Sequence, residues 1–247
     1  MKVVCIIPAR YASTRFPGKA LADLLGKPMI QHVYERVLKS KSVSFAAVAT
    51  DDKRIKAAVE GFGGRAVMTA AEHRSGTDRT AEAVSGLDLA DSDVVVNIQG
   101  DQPLFEASQI DEVAEPLLED ASLAMSTLIY RIVREEEITH PNAVKVVFDA
   151  DHFALYFSRA TVPHVRDKGA RVAYYKHHGI YAYRRAFLKV FTKLPEGVLE
   201  KVEALEQLRA LEHGYRIKVV ETPYDSVEVD TREELERVKK ILMAKGA

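Results

Sequence analysis

Arg10, Arg15 and Lys19 crowd one short stretch near the start of the chain, "ARYASTRFPGKAL" at 9–21, which contains no carboxylate. Like charges at that spacing repel one another, and an anion placed among them relieves the cost. A polyphosphate is the guest that calls for such a set. Gly18 allows close backbone approach, and Pro17 stiffens the turn before it. The stretch is not a Walker P-loop, because Gly18-Lys19 runs on into Ala20 and no glycine stands at the required upstream position. Nor is there a GxGxxG pattern; Gly61, Gly63 and Gly64 are placed to end a helix. What remains is a phosphate grip made of side chains, with Ser13 offering a hydroxyl in the same loop. A solvated basic loop without a guest is the plain alternative, and the position after a first strand weighs against it.

Two acids have the complementary chemistry. Asp101 follows the apolar run Val94–Ile98 across Gln99-Gly100, and Asp230 follows Val227–Val229. Carboxylates at two strand ends can hold hard magnesium ions, which prefer oxygen ligands and bridge phosphate oxygens. A metal pair could clamp the entering and leaving oxygens of an in-line displacement. The alternatives are a turn aspartate at 101 and, at 230, a helix-entry acid that competes with Thr231 for the cap. His73-Arg74-Ser75-Gly76-Thr77 precedes a helix. Ser75 or Thr77 caps it, and the same geometry can present NH and OH groups to a ligand.

The elements that must carry these residues follow from hydrophobic periodicity. Val3–Pro8, Phe45–Ala49 and Val94–Ile98 read as strands, with Ala66–Met68 a short one. Met29, Ile30, Val33 and Val37 recur at helical spacing behind Pro28; Asp51–Glu60 reads as a helix ended by Gly61, and another helix begins near Thr77. This order predicts an α/β fold, a mostly parallel, Rossmann-like three-layer sandwich that binds nucleotides. Ligands bind such sheets outside the carboxyl ends of the strands, where the basic loop and Asp101 fall. In the second half, Leu123–Ile132, Ala143–Asp149 and Lys176–Tyr183 look like longer strands of a mixed or antiparallel extension. Val198–Leu211 reads as one amphipathic helix with Val198, Val202, Leu205 and Leu208 on one face and Gly214 as its stop. Ile217–Val220 is a strand, and Thr231 with Glu234 makes a capping box for a last helix carrying Leu235 and Val238. A single domain over 1–247 is expected, with a nucleotide half at about 1–120 and a second lobe at about 121–190.

Composition narrows the function classes. With 247 residues and 47% apolar content the chain can bury a sizeable core. A formal net charge of −1 argues against nucleic acid as a partner. Cys5 is the single cysteine, so an intrachain disulfide or a cysteine-rich zinc site is impossible, and its place in the first apolar run makes it a core residue. No window approaches the roughly 18 apolar residues of a membrane helix, and no signal peptide is read at the start. A soluble, cytoplasmic protein with no membrane partner is expected.

The stretch "IIPARYASTRFPGKAL" (6–21) closely resembles the N-terminal signature of the 3-deoxy-manno-octulosonate (KDO) cytidylyltransferases, also called CMP-KDO synthetases. The resemblance runs on in order through "HRSGTDR" (73–79), "VVNIQGDQP" (95–103), "PNAVKVV" (141–147), "ALYFSRATVP" (154–163), "HHGIYAYR" (177–184), "LEQLR" (205–209) and "VEVDTREEL" (227–235). The opening block alone would leave the related CMP-sialic acid synthetases open; the later blocks favour the KDO enzymes. The resemblance implies transfer of CMP from CTP to the anomeric hydroxyl of KDO, an acidic eight-carbon sugar. The products are CMP-KDO and pyrophosphate, which activates KDO for lipopolysaccharide biosynthesis. It implies magnesium as cofactor, a homodimer, and sugar binding and dimerisation by the second lobe.

At the level of residues, the resemblance implies that Arg10, Arg15 and Lys19 bind the triphosphate, with Lys19 at the attacked phosphate or its leaving oxygen, and that Ala9 and Arg10 seat the nucleotide through the backbone. Asp101 and Asp230 would hold the metal. Arg74, Ser75, Gly76 and Gln99 are assigned to cytosine, although the residues alone do not reveal which base. The sugar carboxylate calls for cations, and Arg159 and His178 are the candidates, since arginine grips a carboxylate in a bidentate way. Tyr181, Glu206 and Gln207 would meet the sugar hydroxyls. The family usually reads Gly-Asp-Glu-Pro where this chain has Gly100-Asp101-Gln102-Pro103, which removes one carboxylate and leaves Asp101. His164 stands where the family often has an aromatic residue. A general base is left open, because a metal-bound hydroxyl loses its proton more readily.

Two other classes fit part of this pattern. A glycosyltransferase would use a DxD metal motif after a strand, but Asp91-Ser92-Asp93 precedes its strand and Asp149-Ala150-Asp151 ends one in the other lobe. A non-catalytic nucleotide sensor would keep Arg10 and Lys19 and need neither Asp230 nor a sugar pocket. Pyrophosphate release separates both from a cytidylyltransferase.

Overall fold

Unbroken apolar runs build the centre of the sheet, because a strand covered on both faces has no solvent side. A computed structural model describes residues 1–12, 15–73, 75–167 and 169–244; Ser13 and Arg74, both expected at the nucleotide site, lie outside the described residues. In chain order the strands are β1 (Val3–Pro8), β2 (Asp23–Leu24), β3 (Lys27–Pro28), β4 (Val43–Thr50), β5 (Ala66–Met68), β6 (Val94–Asn97), β7 (Met125–Arg131), β8 (Lys145–Phe148), β9 (Ala154–Ser158), β10 (Tyr175–Arg184) and β11 (Lys218–Glu221). The helices are α1 (Met29–Val37), α2 (Lys53–Gly61), α3 (Gly76–Ser85), α4 (Ser108–Glu119), α5 (Glu135–Thr139), α6 (Arg185–Phe191), α7 (Val198–Glu203), α8 (Leu208–Glu212) and α9 (Arg232–Ala244).

The main sheet runs β11-β7-β10-β6-β1-β4-β5. Around β1 the pairing is parallel, to β4 on one side and β6 on the other. The chain therefore leaves β1 outward to β4 and β5 and returns to β6 on the opposite flank. The carboxyl ends of β1 and β6 thus form a topological switch point, where open α/β sheets have a crevice. Strand β10 runs antiparallel to both β6 and β7, which joins the two halves in one sheet, and β8 and β9 extend from it as an antiparallel pair. The mostly parallel sheet with an antiparallel extension is the architecture that the sequence pattern predicts.

Side-chain alternation along β1 creates the layers. Val3, Cys5 and Ile7 pack with Val33, Ile55, Ile110 and Val113 of α1, α2 and α4. Val4 and Ile6 pack with Val84, Phe187, Phe191 and Leu208 of α3, α6 and α8 on the other face. Cys5 is fully buried, which pushes its thiol pKa well up and leaves it inert. A third cluster lies beside the sheet: Leu235, Val238 and Leu242 of α9 close over Phe16, Leu24, Met29, Leu104 and Val229. This cluster brings the chain's last segment to the loop after β1.

Several readings of the sequence change. Helices α4 and α6, which cover opposite faces of the sheet, and strand β9 were not expected. The single amphipathic helix over Val198–Leu211 is instead α7 and α8, separated at Ala204, whose φ is +51°. The Arg159 guanidinium takes the carbonyls of Glu203 and Ala204 that a continuous helix would use, at 2.6 and 3.3 Å. Leu205 and Leu208 are buried, whereas Val198 and Val202 are 73% and 79% exposed. The apolar period therefore spans two helices that present different faces.

Ion pairs fasten the second lobe. Lys176 of β10, only 7% exposed, reaches Glu137 of α5 at 2.6 Å and Asp225 at 2.7 Å, and Arg134 joins both acids. Burial opposes the Asp225 charge, but the Lys176 ammonium at 2.7 Å outweighs it and holds this carboxyl well below its usual range. A depressed carboxyl pKa stabilises the fold above the unfolded value of about 4, and that contribution is lost as pH falls below it. Asp225→Asn should therefore lower the melting temperature at pH 7, with the gap to wild type narrowing below about pH 4; an equal gap at both pH values would exclude this linkage. A second brace is Arg184, whose guanidinium donates to the carbonyls of Ser92, Leu117, Asp120 and Leu123. Arg184→Ala strands four backbone acceptors, of which Leu117 O is buried, and should cost about 2 kcal/mol in urea denaturation. An unchanged midpoint would show that the brace is dispensable.

Candidate active site

Pro8-Ala9-Arg10 leaves β1 beside Gln99-Gly100-Asp101 leaving β6, because Ile6 and Asn97 are paired in the sheet. The loop after β1 folds back on itself: Gly18 N donates to Tyr11 O at 2.8 Å. Gly18 has φ +73°, and a Cβ there would stand 3.0 Å from the Tyr11 ring, so both its conformation and its bareness are needed. Arg54 covers the other side of that ring, 3.3 Å from its centre. The 3-10 turn at Lys19–Leu21 then directs Lys19 inward.

Lys19 Nζ donates to Asp101 Oδ2 at 2.5 Å and to Asp230 Oδ1 at 2.9 Å. Arg15 meets the other oxygen of Asp230 at 2.8 Å. Burial works against the Lys19 charge, but Asp101 and Asp230 outweigh it and raise the ammonium pKa above its usual value. Asp230 owes its freedom to its neighbours. Thr231 Oγ1 accepts from Glu234 N at 3.2 Å, while Glu234 Oε2 accepts from Asp230 N and Thr231 N at 2.7 and 2.9 Å. This is the expected capping box. Thr231 and not Asp230 caps α9, so the Asp230 carboxylate points to Lys19. Val229, buried in the third cluster, donates its N to Asp101 O at 2.9 Å and fixes the spacing of the two acids.

The two carboxylates fit a divalent cation, since oxygens of both already converge on one ammonium nitrogen. Among the described residues no group of three or more His, Cys, Asp or Glu gathers for a metal. A cation at Asp101 and Asp230 would complete its shell with phosphate oxygens and water, the habit of magnesium. A cleft of about 260 Å³ opens beside this pair. Ala9, Arg10, Arg15, Lys19, Ser75, Gly76, Gln99, Asp101 and Asp230 line it, so the structure brings together the described residues expected at the nucleotide. Arg10 is exposed there and has no ion-pair partner among the described residues. Ser75 caps α3 by accepting from Asp78 N at 3.1 Å. A Cβ on Gly76 would stand 3.2 Å from Gln99 Oε1, so a bare residue lets the Gln99 amide lie against the start of α3. Arg79, 4% exposed and not expected from sequence, also lines the cleft and donates to Thr69.

On the other side of the carboxylate pair lies a set of buried polar groups. Tyr181 of β10 faces Asn97 of β6 in the sheet, and its hydroxyl donates to Gln207 Oε1 at 3.1 Å. Both amide atoms of Asn97, Gln207 Nε2 and Gln102 Oε1 are buried without a hydrogen-bond partner among the described residues. Such atoms are costly unless a ligand completes them. Asn97 was missed; its only signal was one amide at the end of an otherwise apolar run. Glu206 accepts from Thr77 Oγ1 at 2.6 Å, and it opens on an adjoining cavity of about 330 Å³ whose wall includes Ser75. Burial raises its carboxyl pKa.

Arg159 and His178, the two cations expected at a ligand carboxylate, differ in how the fold treats them. The Arg159 guanidinium is engaged by the carbonyls of Pro141, Glu203 and Ala204. His178 is 2% exposed, and burial lowers its pKa, so it is a neutral imidazole stacked on Tyr130. Its Nε2 lies 3.8 Å from Asp225, beyond hydrogen-bond range.

Residues 4–218 match the family described as Cytidylyltransferase. A protein of Syntrophus aciditrophicus (strain SB) named 3-deoxy-manno-octulosonate cytidylyltransferase is 73% identical over 99% of each chain. One of the same name from Desulfosudis oleivorans is 56% identical over the full length of both. The solved structure of a CMP:2-keto-3-deoxy-manno-octonic acid synthetase complexed with CTP superposes with a TM-score of 0.93, at 43% identity and full coverage of both chains.

Proposed function

The chain belongs to the 3-deoxy-manno-octulosonate cytidylyltransferase family, and we propose that it transfers CMP from CTP to the anomeric hydroxyl of 3-deoxy-D-manno-octulosonate, releasing pyrophosphate. The observation that carries this reading is the convergence of Lys19, Asp101 and Asp230 at the switch-point cleft, with Arg10 and Arg15 alongside.

Arg10, Arg15 and Lys19 receive the triphosphate. Lys19 exchanges its carboxylate partners for phosphate oxygens, and its fixed charge stabilises the negative charge that grows on the departing pyrophosphate. Gln99 and the Ser75-Gly76 start of α3 offer amide and hydroxyl groups to the base. Asp101 and Asp230 would hold magnesium, which would neutralise phosphate charge and make the sugar hydroxyl easier to deprotonate. Asn97, Tyr181 and Gln207 turn polar atoms toward the sugar hydroxyls, with Glu206 nearby. For the sugar carboxylate, neutral His178 is a hydrogen-bond partner, and Arg159, which gives three of its five N–H groups to carbonyls, keeps two for it.

A homodimer and a cytoplasmic location complete the proposal and rest on the resemblance to the KDO enzymes. No helix among the described residues is long and apolar enough to cross a membrane.

The test is pyrophosphate release from each nucleotide with several acidic sugars. Release is expected only with CTP, KDO and magnesium together. No product with any pair would sink the enzyme reading, and activity with sialic acid but not KDO would move the substrate. Asp101→Asn and Lys19→Ala should each lower turnover by at least about 100-fold, the scale of one transition-state charge contact. Near-normal turnover in either variant would show that its role is misassigned.

A further inference from the structure

We propose that Glu228, oriented by Gln102, is a sugar-positioning residue whose free carboxylate oxygen accepts a hydroxyl of the acceptor sugar. The inference rests on the cytidylyltransferase reading above. Gln102 is 0% exposed and follows Asp101 directly. Its Nε2 donates to Glu228 Oε1 at 3.0 Å, while its own Oε1 is buried with no partner among the described residues. Val229 points into the third cluster, so its neighbours Glu228 and Asp230 both turn toward the cleft. They serve different sides of it. Asp230 lines the nucleotide cleft and Glu228 does not.

Glu228 instead faces β10 at the point where the register shifts between His178 and Tyr181, a bulge that re-aims side chains. Gly179 lies in this bulge. A Cβ on it would stand 3.6 Å from Gln102 Nε2 and 3.8 Å from Glu228 Oε1, so a larger residue would fill the space above the pair. Gln102 Oε1, buried without a partner among the described residues, places the pair with the unsatisfied polar groups of the sugar side. A polyol supplies the hydroxyl donors that such acceptors lack, and a triphosphate does not.

The pair also explains the departure at position 102 from the family's Gly-Asp-Glu-Pro. A glutamate there would confront Glu228, whereas the Gln102 amide donates to it. The orientation of the amide supplies the test. In Glu228→Gln, Gln102 Nε2 draws the new side chain's oxygen inward and leaves its NH₂ facing the sugar, so an acceptor becomes a donor. In the exchanged pair Gln102→Glu with Glu228→Gln, the carboxylate at 102 takes that NH₂ and returns an acceptor oxygen to the sugar.

Steady-state kinetics with CTP, KDO and magnesium should show the KM for KDO raised about tenfold or more in Glu228→Gln, the scale of a hydrogen bond to a charged group, with the KM for CTP within about twofold of wild type. The exchanged pair should return the KM for KDO to within about fivefold of wild type. An unchanged KM for KDO, a parallel rise in the KM for CTP, or an exchange no better than the single variant overturns the proposal. If melting shows that the exchanged pair does not fold, Glu228→Ala decides on the same two constants, with an unchanged KM for KDO overturning the proposal. A wild-type protein that releases no pyrophosphate defeats the cytidylyltransferase reading and the inference with it. An active wild type whose variants fail these outcomes defeats the inference alone.

Discussion

One ammonium group between two carboxylates is the contact on which the site depends. Lys19 and its partners are separated by 82 and 211 positions along the chain. Only 15% of the Lys19 side chain and 25% of each aspartate are exposed, so the charges are screened less than surface pairs. Removing the lysine would leave Asp101 and Asp230 facing each other with like charge, the costly half of a partly buried pair. An ammonium group already in place between the acids shows that their oxygens converge on one point.

Three packing features hold that contact in register. The parallel pairing of β1 with β6 sets the loop after β1 beside Asp101. The Tyr11–Gly18 turn directs Lys19 inward. The third cluster, with the Thr231–Glu234 capping box, brings Asp230 from near the end of the chain and leaves its carboxylate free. Loss of any one would move a charge by more than hydrogen-bond length, and preorganised charge is effective only while it stays in place.

Strand β10 supplies the other half of the site. It runs antiparallel to β6, which sets Tyr181 opposite Asn97, and its bulge opens space over Gln102 and Glu228. Several buried polar atoms there have no partner among the described residues, a desolvation cost that the fold carries. The ion-paired network of Lys176, Glu137, Asp225 and Arg134 braces the strand beneath that surface.

Much of this was legible in the sequence, because local physics writes it there. Apolar runs and helical periods marked the sheet and most of its covering helices, and a threonine three residues before a glutamate marked the start of α9. Three cations without an acid marked the anion loop. Periodicity misled at Val198–Leu211, where Arg159 takes carbonyls that a continuous helix would have kept, an interaction between segments 44 and 45 positions apart. The roles of Asn97 and Glu228 were hidden for a similar reason. A lone amide or acid carries no period, and its meaning depends on what the sheet sets opposite it. By itself the sequence determined the elements, the side-chain grip and the family resemblance, since each is a property of neighbouring residues or ordered blocks. Only the tertiary structure decided that Lys19 meets both acids, that His178 is neutral and that Gln102 holds Glu228, because distance, burial and charge between remote segments exist only once the chain has folded.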